Sequence, residues 1–241
     1  MSTYVNPGTD GFANILKDEY VDKTGIIALV NERMERGKGL ITVSRPRRFG
    51  KTYAAHALAA YYCRGCDSRQ LFAELEVSRH PSFERHLNAH DVIRLDMTNA
   101  LRAAAGGSVP NAVSNMIVPE IKSLWPSVPE GADLVAALLA ARDHKGSGFV
   151  FIIDEWDAPI REARDAASKR EYMEFLRGLF KNGDFTPKCV EMAYLTGILP
   201  MVKCGTQSAM SDFDEFTIVS WIPCIRQEIW HGANPQRGGS P

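Results

Sequence analysis

No run of apolar residues in this 241-residue chain is long enough to cross a bilayer as a helix, and the N-terminus carries no basic stretch followed by an apolar core. Both absences lead to the expectation of a cytoplasmic protein with no membrane partner. Charge of one sign is missing too. The 28 Lys and Arg against 29 Asp and Glu leave a net charge of −1, so nothing pulls the chain in bulk toward nucleic acid or an anionic surface. Direct nucleic-acid binding by this chain alone is not expected. Cysteine is sparse and odd in number, five in all (Cys63, Cys66, Cys189, Cys204, Cys224), which fits reduced thiols rather than a disulfide framework. Cys63-Arg64-Gly65-Cys66 has the spacing of a redox or zinc half-site, yet no second pair completes it. His86 and His90 are spaced to share a helix face, which reads as solvated surface. Internal repeats and low-complexity tracts are absent. What remains, 45% hydrophobic and 24% charged, is ordinary for a globular protein and sufficient for one α/β domain with at most a short appendage.

Against that plain background one run stands out: Ser44-Arg45-Pro46-Arg47-Arg48-Phe49-Gly50-Lys51-Thr52. Gly-Lys-Thr opening a helix is the signature of a nucleotide-phosphate cradle. The context it needs is present. Leu40-Ile41-Thr42-Val43 before it is apolar and β-branched, as a buried strand would be, and Tyr53 to Tyr62 after it is Ala- and Leu-rich, as a helix would be. Backbone N–H groups of the loop and the helix N-terminus favour a bound phosphate. In this reading Lys51 reaches the β- and γ-phosphates and the Thr52 hydroxyl ligates Mg²⁺. Pro46, Arg47, Arg48, Phe49, Gly50, Lys51, Thr52 and Tyr53 are the candidate nucleotide-contacting residues. A glycine is lacking five places before Gly50, where Arg45 stands. Arg45 precedes a proline and is biased toward extended backbone, and Pro46 holds its own φ near −65°, so the loop's start is stiffened without glycine.

A second motif, Gly148-Phe149-Val150-Phe151-Ile152-Ile153-Asp154-Glu155, is an apolar run ending in two carboxylates. It predicts a central parallel strand covered on both faces, with its acidic end where open α/β sheets place ligands. Asp154 is the candidate Mg²⁺ ligand and Glu155 the group that polarises the attacking water. Val190 to Gly197 reads as a further strand closed by Thr196. In phosphate-loop ATPases that insert a strand between the loop strand and the acidic strand, this position faces the γ-phosphate, so Thr196 is the candidate sensor. A plain strand-end turn at Thr196-Gly197 is the alternative.

Along the rest of the chain, residues 1 to 11 read as a flexible opening segment. Thr24 is placed to cap a helix through Ile26, Ile27, Val30 and Met34, which Gly37 and Gly39 stop. Asp91 to Met97 alternates as a strand, Asn99 to Gly107 reads as a loop or short helix, and residues 112–124 as a helix interrupted near Pro119. Pro126 to Gly131 is a turn and Asp133 to Arg142 a helix. Ser168-Lys169-Arg170-Glu171 has the form of a capping box opening a helix through Tyr172, Phe175, Leu176, Leu179 and Phe180. Phe216 to Val219 is a candidate fifth strand. Alternation of this kind predicts an α/β P-loop NTPase fold, a parallel sheet of about five strands with helices on both faces. Residues 12–220 form the expected ATPase domain, and 221–241 a divergent tail expected to fray.

Arg45 to Thr52 as RPRRFGKT, Tyr20-Val21-Asp22-Lys23-Thr24, Ile153-Asp154-Glu155-Trp156-Asp157-Ala158-Pro159-Ile160 and Leu195-Thr196-Gly197-Ile198 together resemble the predicted AAA-ATPase-like family. These are bacterial P-loop proteins whose ATPase domain is often followed by a nuclease-like domain. The resemblance spans about residues 10 to 220. It implies an additional-strand, AAA-like fold with ATP and Mg²⁺ as ligands. It assigns Lys51 and Thr52 to phosphates and metal, Asp154 to Mg²⁺, Glu155 to water activation and Thr196 to sensing. Asp157 matches without a defined role, a salt bridge or loop cap being the simpler expectation. The Tyr20–Thr24 stretch is expected either near the nucleotide base or merely packing the first helix. Trp156 stands where the family more often has tyrosine. From Trp221 the likeness ends with no room for the nuclease-like domain, so a truncated gene product is expected.

The resulting expectation is Mg²⁺-dependent ATP hydrolysis, with a homo-oligomer or partner protein supplying a further arginine. Other readings are a nucleotide-gated switch, a truncated remnant without turnover, and the ATPase part of a nucleic-acid-acting defence or mobile-element system. The choice between ATP and GTP is open at this level.

Overall fold

In the computed structural model the described residues are 2–201 and 211–216. Five parallel strands form one sheet: β1 (Leu40–Ser44), β2 (Val92–Asp96), β3 (Phe149–Asp154), β4 (Val190–Gly197) and β5 (Asp214–Phe216), in the order β2-β3-β4-β1-β5. Around it lie α1 (Asp10–Ile15), α2 (Gly25–Glu35), α3 (Lys51–Tyr62), α4 (Arg69–Phe72), α5 (Phe83–His86), α6 (Met97–Ala104), α7 (Val109–Leu124), α8 (Leu134–Lys145), α9 (Ala158–Arg161), α10 (Ala166–Phe180) and α11 (Thr186–Cys189). Strand β4 lies between the loop strand β1 and the acidic strand β3, the inserted position expected for the strand ending in Thr196.

Period-two burial sends alternate residues of each strand into two cores. Phe149, Phe151, Ile153, Ala193 and Leu195 face one layer, packed by α6, α7, α8 and α10. Val150, Ile152, Met192, Tyr194, Ile41 and Val43 face the other, packed chiefly by α2 and α3. All six residues of β3 are buried, the condition its unbroken apolar run predicted. The register sets Asp96 beside Asp154 on the neighbouring strand, and Ser44 beside Gly197.

Several local expectations give way to tertiary contacts. Residues 3–6 are not loose. Val5 pairs antiparallel with Ile93 on β2, and the Glu120 carboxylate accepts from the backbone N–H groups of Thr3, Tyr4 and Val5, each at 2.8 Å. An otherwise open sheet edge is thereby covered. Thr24 does not cap α2. Its hydroxyl donates to Asp22 at 2.7 Å and accepts from the Val77 N–H at 3.2 Å, tying the start of α2 to the neighbouring 3-10 turn. Helix α7 runs unbroken through Pro119, because Pro119 and Asn115, whose carbonyl loses its donor, are both exposed to water. The capping box is displaced by three residues. Asp165 caps α10 by accepting from Ser168 N–H at 2.7 Å, and Ser168 lies inside the helix.

His86 and His90 are not a solvated face either. Helix α5 ends at His86, which is buried, and the rings stack with Nδ1 of His86 3.1 Å from Nε2 of His90. Their outer nitrogens meet Glu35 at 3.1 Å and Glu191 at 2.7 Å. Cys63, Cys66 and Cys189 are free thiols. The Cys63 and Cys66 sulfurs are 3.1 Å apart, and burial pushes the Cys63 thiol up to about 12, which makes it a poor nucleophile. Strand β5 covers Asp214–Phe216. Residues 217–219 of the predicted fifth strand, Cys204, Cys224 and the predicted tail at 221–241 lie outside the described residues. No helix among the described residues is long and apolar enough to cross a membrane.

Candidate functional site

Strand β1 delivers the chain to the carboxyl end of the sheet, where the Arg45 N–H donates to the Gly197 carbonyl at 3.0 Å and so moors the loop to the end of β4. Pro46, Arg47, Arg48 and Phe49 are exposed. Arg48 and Gly50 both adopt left-handed backbone, with φ of 70° and 76°. At Gly50 the positive φ is the reason for glycine, since a Cβ there would meet only the movable end of the Lys23 side chain, at 3.1 Å. Helix α3 begins at Lys51, with Thr52 and Tyr53 on its exposed first turn.

Lys51 is buried and turned inward. Its ammonium donates to the carbonyls of Arg45 and Pro46, each at 3.0 Å, and stands 3.8 Å from Glu155 Oε1. Beneath it a hollow of about 10 Å³, bordered by Lys23, Arg45, Lys51 and Tyr194, has room for roughly one water. The lysine therefore fills its own cradle, and an anion entering the loop must displace those two carbonyl contacts. Arg45, in the place of the missing glycine, is buried in this hollow, and burial lowers its pKa. Lys23, from the Tyr20–Thr24 stretch, donates to the Phe49 carbonyl at 3.4 Å, and burial followed by the nearby Arg45 charge lowers its pKa. The stretch thus both starts α2 and flanks the loop.

Facing Lys51 is the end of β3. Asp154 is 2% exposed, and its Oδ1 accepts from the Thr196 hydroxyl and from the Glu155 N–H at 3.1 Å. Thr196 is fully buried and directed onto that carboxylate. Glu155 has left-handed backbone, φ 51°, an uncommon geometry for a residue with a side chain. Burial raises its pKa, with Lys51 and Arg161 opposing. One turn below Thr52 on α3, His56 meets Arg94 of β2, 3.0 Å from Nε2 to the guanidinium. Burial, then the Arg94 charge, brings His56 down to about 4, with Asp154 opposing, so the imidazole is neutral at ordinary pH.

Asp157 has the salt bridge and the loop cap that were its simpler expectation. Fully buried, it accepts from the N–H groups of Ile198 and of Leu199, the latter at 3.0 Å, and lies 2.9 Å from Arg161 Nε. Gly197 is needed beside it, because a Cβ would come within 2.7 Å of the carboxylate. A cleft of about 310 Å³ is bordered by Gly106, Val109, Pro159, Arg164 and Glu171, none of them in the loop.

A Gly-Lys-Thr loop, an acidic strand end and a polar strand end converge at the carboxyl end of the three central strands of a parallel sheet of order 2-3-4-1-5. A family model described as Predicted AAA-ATPase matches residues 7–206. The chain belongs to the predicted AAA-ATPase family. The comparison with curated proteins gave no match. Within this AAA-ATPase-like domain, the groups that sequence reasoning passed over are Arg161, Arg94 and His56. Arg161 carried a faint signal, standing four residues after Asp157 on a helix opened by Ala158-Pro159. Arg94 and His56 carried none, because their meeting depends on how α3 crosses β2.

Proposed function

We propose that this chain binds ATP through the Lys51 loop and, with Mg²⁺, hydrolyses the β–γ bond. The observation that carries the reading is the approach of Lys51, at the N-terminus of α3, to Glu155 at the carboxyl end of β3, 3.8 Å apart. Pro46 to Tyr53 would wrap the triphosphate with loop amides and the helix N-terminus. Lys51 would exchange the carbonyls of Arg45 and Pro46 for phosphate oxygens.

Thr52 and Asp154 fit Mg²⁺, a hard cation that needs only one or two protein oxygens beside phosphate and water. Thr52 is exposed, and both hydrogen bonds to Asp154 fall on Oδ1, leaving Oδ2 for the ion. Bound there, Mg²⁺ supplies charge neutralisation on the phosphoryl oxygens. Glu155 orients the attacking water and accepts its proton. Thr196 acts through Asp154, so its sensing role is to hold that carboxylate in place. Exposed Arg47 and Arg48, or an arginine from a second subunit, add positive charge during transfer. A cytoplasmic setting suits these ligands.

The test is ATP binding and phosphate release for wild type, Lys51→Ala and Glu155→Gln. Lys51→Ala should lose binding, and Glu155→Gln should bind normally with turnover reduced roughly 100-fold or more. Normal ATP affinity in Lys51→Ala overturns the loop assignment. Wild-type binding without phosphate release at any protein concentration overturns hydrolysis and leaves a nucleotide-gated binder.

A further inference from the structure

We infer that Arg161 is the positioning residue for Glu155, holding one carboxylate oxygen so that the other faces the phosphate loop. The inference rests on the hydrolytic reading above. Arg161 Nη2 donates to Glu155 Oε2 at 2.7 Å, while Oε1 is the atom 3.8 Å from Lys51. The two oxygens therefore face different partners, and only the Lys51 side belongs to the loop.

The guanidinium is itself fixed. Its Nε lies 2.9 Å from Asp157 Oδ2, and Asp157 is fully buried and bonded to the N–H groups of Ile198 and Leu199 just past β4. A continuous polar chain thus runs from the end of β4 through Asp157 and Arg161 to Glu155. The two contacts differ in kind: Nη2 makes a directed hydrogen bond to Glu155, while Nε pairs with Asp157 by charge and proximity without hydrogen-bond geometry, and a lysine cannot reproduce a planar group placed between two carboxylates. Glu155 needs this grip for two reasons. Its left-handed backbone, φ 51°, gives its side chain an unusual exit from the strand. Its other cationic neighbour, Lys51, turns to phosphate when nucleotide binds, so Arg161 is the contact that persists. Arg161 touches neither nucleotide nor water in this scheme and acts through Glu155.

The test uses the full chain and compares Arg161→Gln, Arg161→Lys, Glu155→Gln and the double variant Glu155→Gln/Arg161→Gln. Each is read for ATP Kd and for kcat of phosphate release. Displacing a water-orienting group by about 1 Å costs on the order of 10–100-fold in rate. Arg161→Gln should lose that factor in kcat with Kd within about twofold of wild type. Arg161→Lys should fall between the two. In the Glu155→Gln background, Arg161→Gln should lower residual turnover no further. Equal or faster turnover in Arg161→Gln overturns the inference, as does the same fractional loss with and without the Glu155 carboxylate. Should Arg161→Gln fail to fold, Arg161→Lys decides alone: an intermediate kcat supports positioning and a wild-type kcat overturns it. A wild type that binds ATP without releasing phosphate overturns the hydrolytic reading and the inference together, whereas an active wild type with an indifferent Arg161 overturns the inference alone.

Discussion

Replacing Gly197 by alanine probes the tightest junction of the site. A Cβ at this position would stand 2.6 Å from Trp156 Nε1, 2.7 Å from Asp157 Oδ1 and 2.8 Å from Trp156 Cδ1, all closer than real Cβ atoms come. Neither neighbour can swing aside. Trp156 and Asp157 are both fully buried, and Asp157 is held by Ile198, Leu199 and Arg161. Reaching ordinary contact requires a retreat of about 0.8 Å into a packed layer, and overpacking of that kind costs about 1–3 kcal/mol. Urea denaturation should show that loss with an unchanged slope, and a thermal melt should fall by about 2–4 °C for each kcal/mol. Gly178 supplies the opposite sign. It lies inside α10, and a methyl group added there would meet nothing within 4 Å, so Gly178→Ala should gain about 0.5–1 kcal/mol. If Gly197→Ala is as stable as wild type within about 0.5 kcal/mol while Gly178→Ala behaves as stated, the packing around Trp156 and Asp157 is wrong.

His56 gives a pH dependence of definite sign. Its folded pKa of about 4 lies below the ordinary histidine value, so the unfolded chain binds more protons between those limits and stability should fall as pH drops from about 6.5 toward 4. Partial exposure limits the effect to the order of 1–2 kcal/mol, and a urea series across that range should be flatter for His56→Gln. Removing the acceptor in Glu120→Ala should free residues 3–5 from the edge of β2; amide exchange there should rise with a stability loss of about 1–3 kcal/mol, and unchanged protection refutes the clamp. Asp165→Ala should cost about 1 kcal/mol and Ser168→Ala much less in chemical unfolding, the reverse of what a capping box at Ser168 requires.

What the sequence made legible is what local chemistry determines. The six residues Phe149–Asp154 are buried throughout because a central parallel strand is covered twice. Gly-Lys-Thr sits at a helix start because a left-handed Gly50 and a following amide cluster are local backbone properties. The misreadings arise where another partner won the contact, sometimes a near one in the chain and sometimes a distant one. Thr24 could have capped α2 but bonds Asp22 and Val77 instead. Ser168 matched a capping pattern, yet Asp165 three residues earlier has the same short acceptor and a full charge for the helix N-terminus. His86 and His90 had helical spacing, but α5 stops at His86 and both rings turn inward to Glu35 and Glu191. The burial of Arg45 and the meeting of His56 with Arg94 depend on the packing of α3 on the sheet, which no window of sequence contains.

The order of the strands explains why these contacts gather at one place. Inserting β4 between β1 and β3 brings Thr196 level with Val43 on one side and Leu195 level with Ile153 on the other. A change at the loop therefore has a route to the acidic strand through β4, beside the direct approach of Lys51 to Glu155. Three links make that path: Thr196 to Asp154, the Trp156 N–H to the Thr196 carbonyl at 2.9 Å, and Asp157 to the N–H groups of Ile198 and Leu199. All three links end on residues close to Glu155 in the chain, so a shift of β4 relative to β3 bears on the placement of Glu155. Gly197 lies between them with no side chain, moored by its carbonyl to Arg45 at the start of the phosphate loop. The loop, the candidate metal ligand and the candidate water-orienting group are thus joined through one short stretch, Thr196 to Leu199, and a substitution that loosens it should alter nucleotide affinity and turnover together.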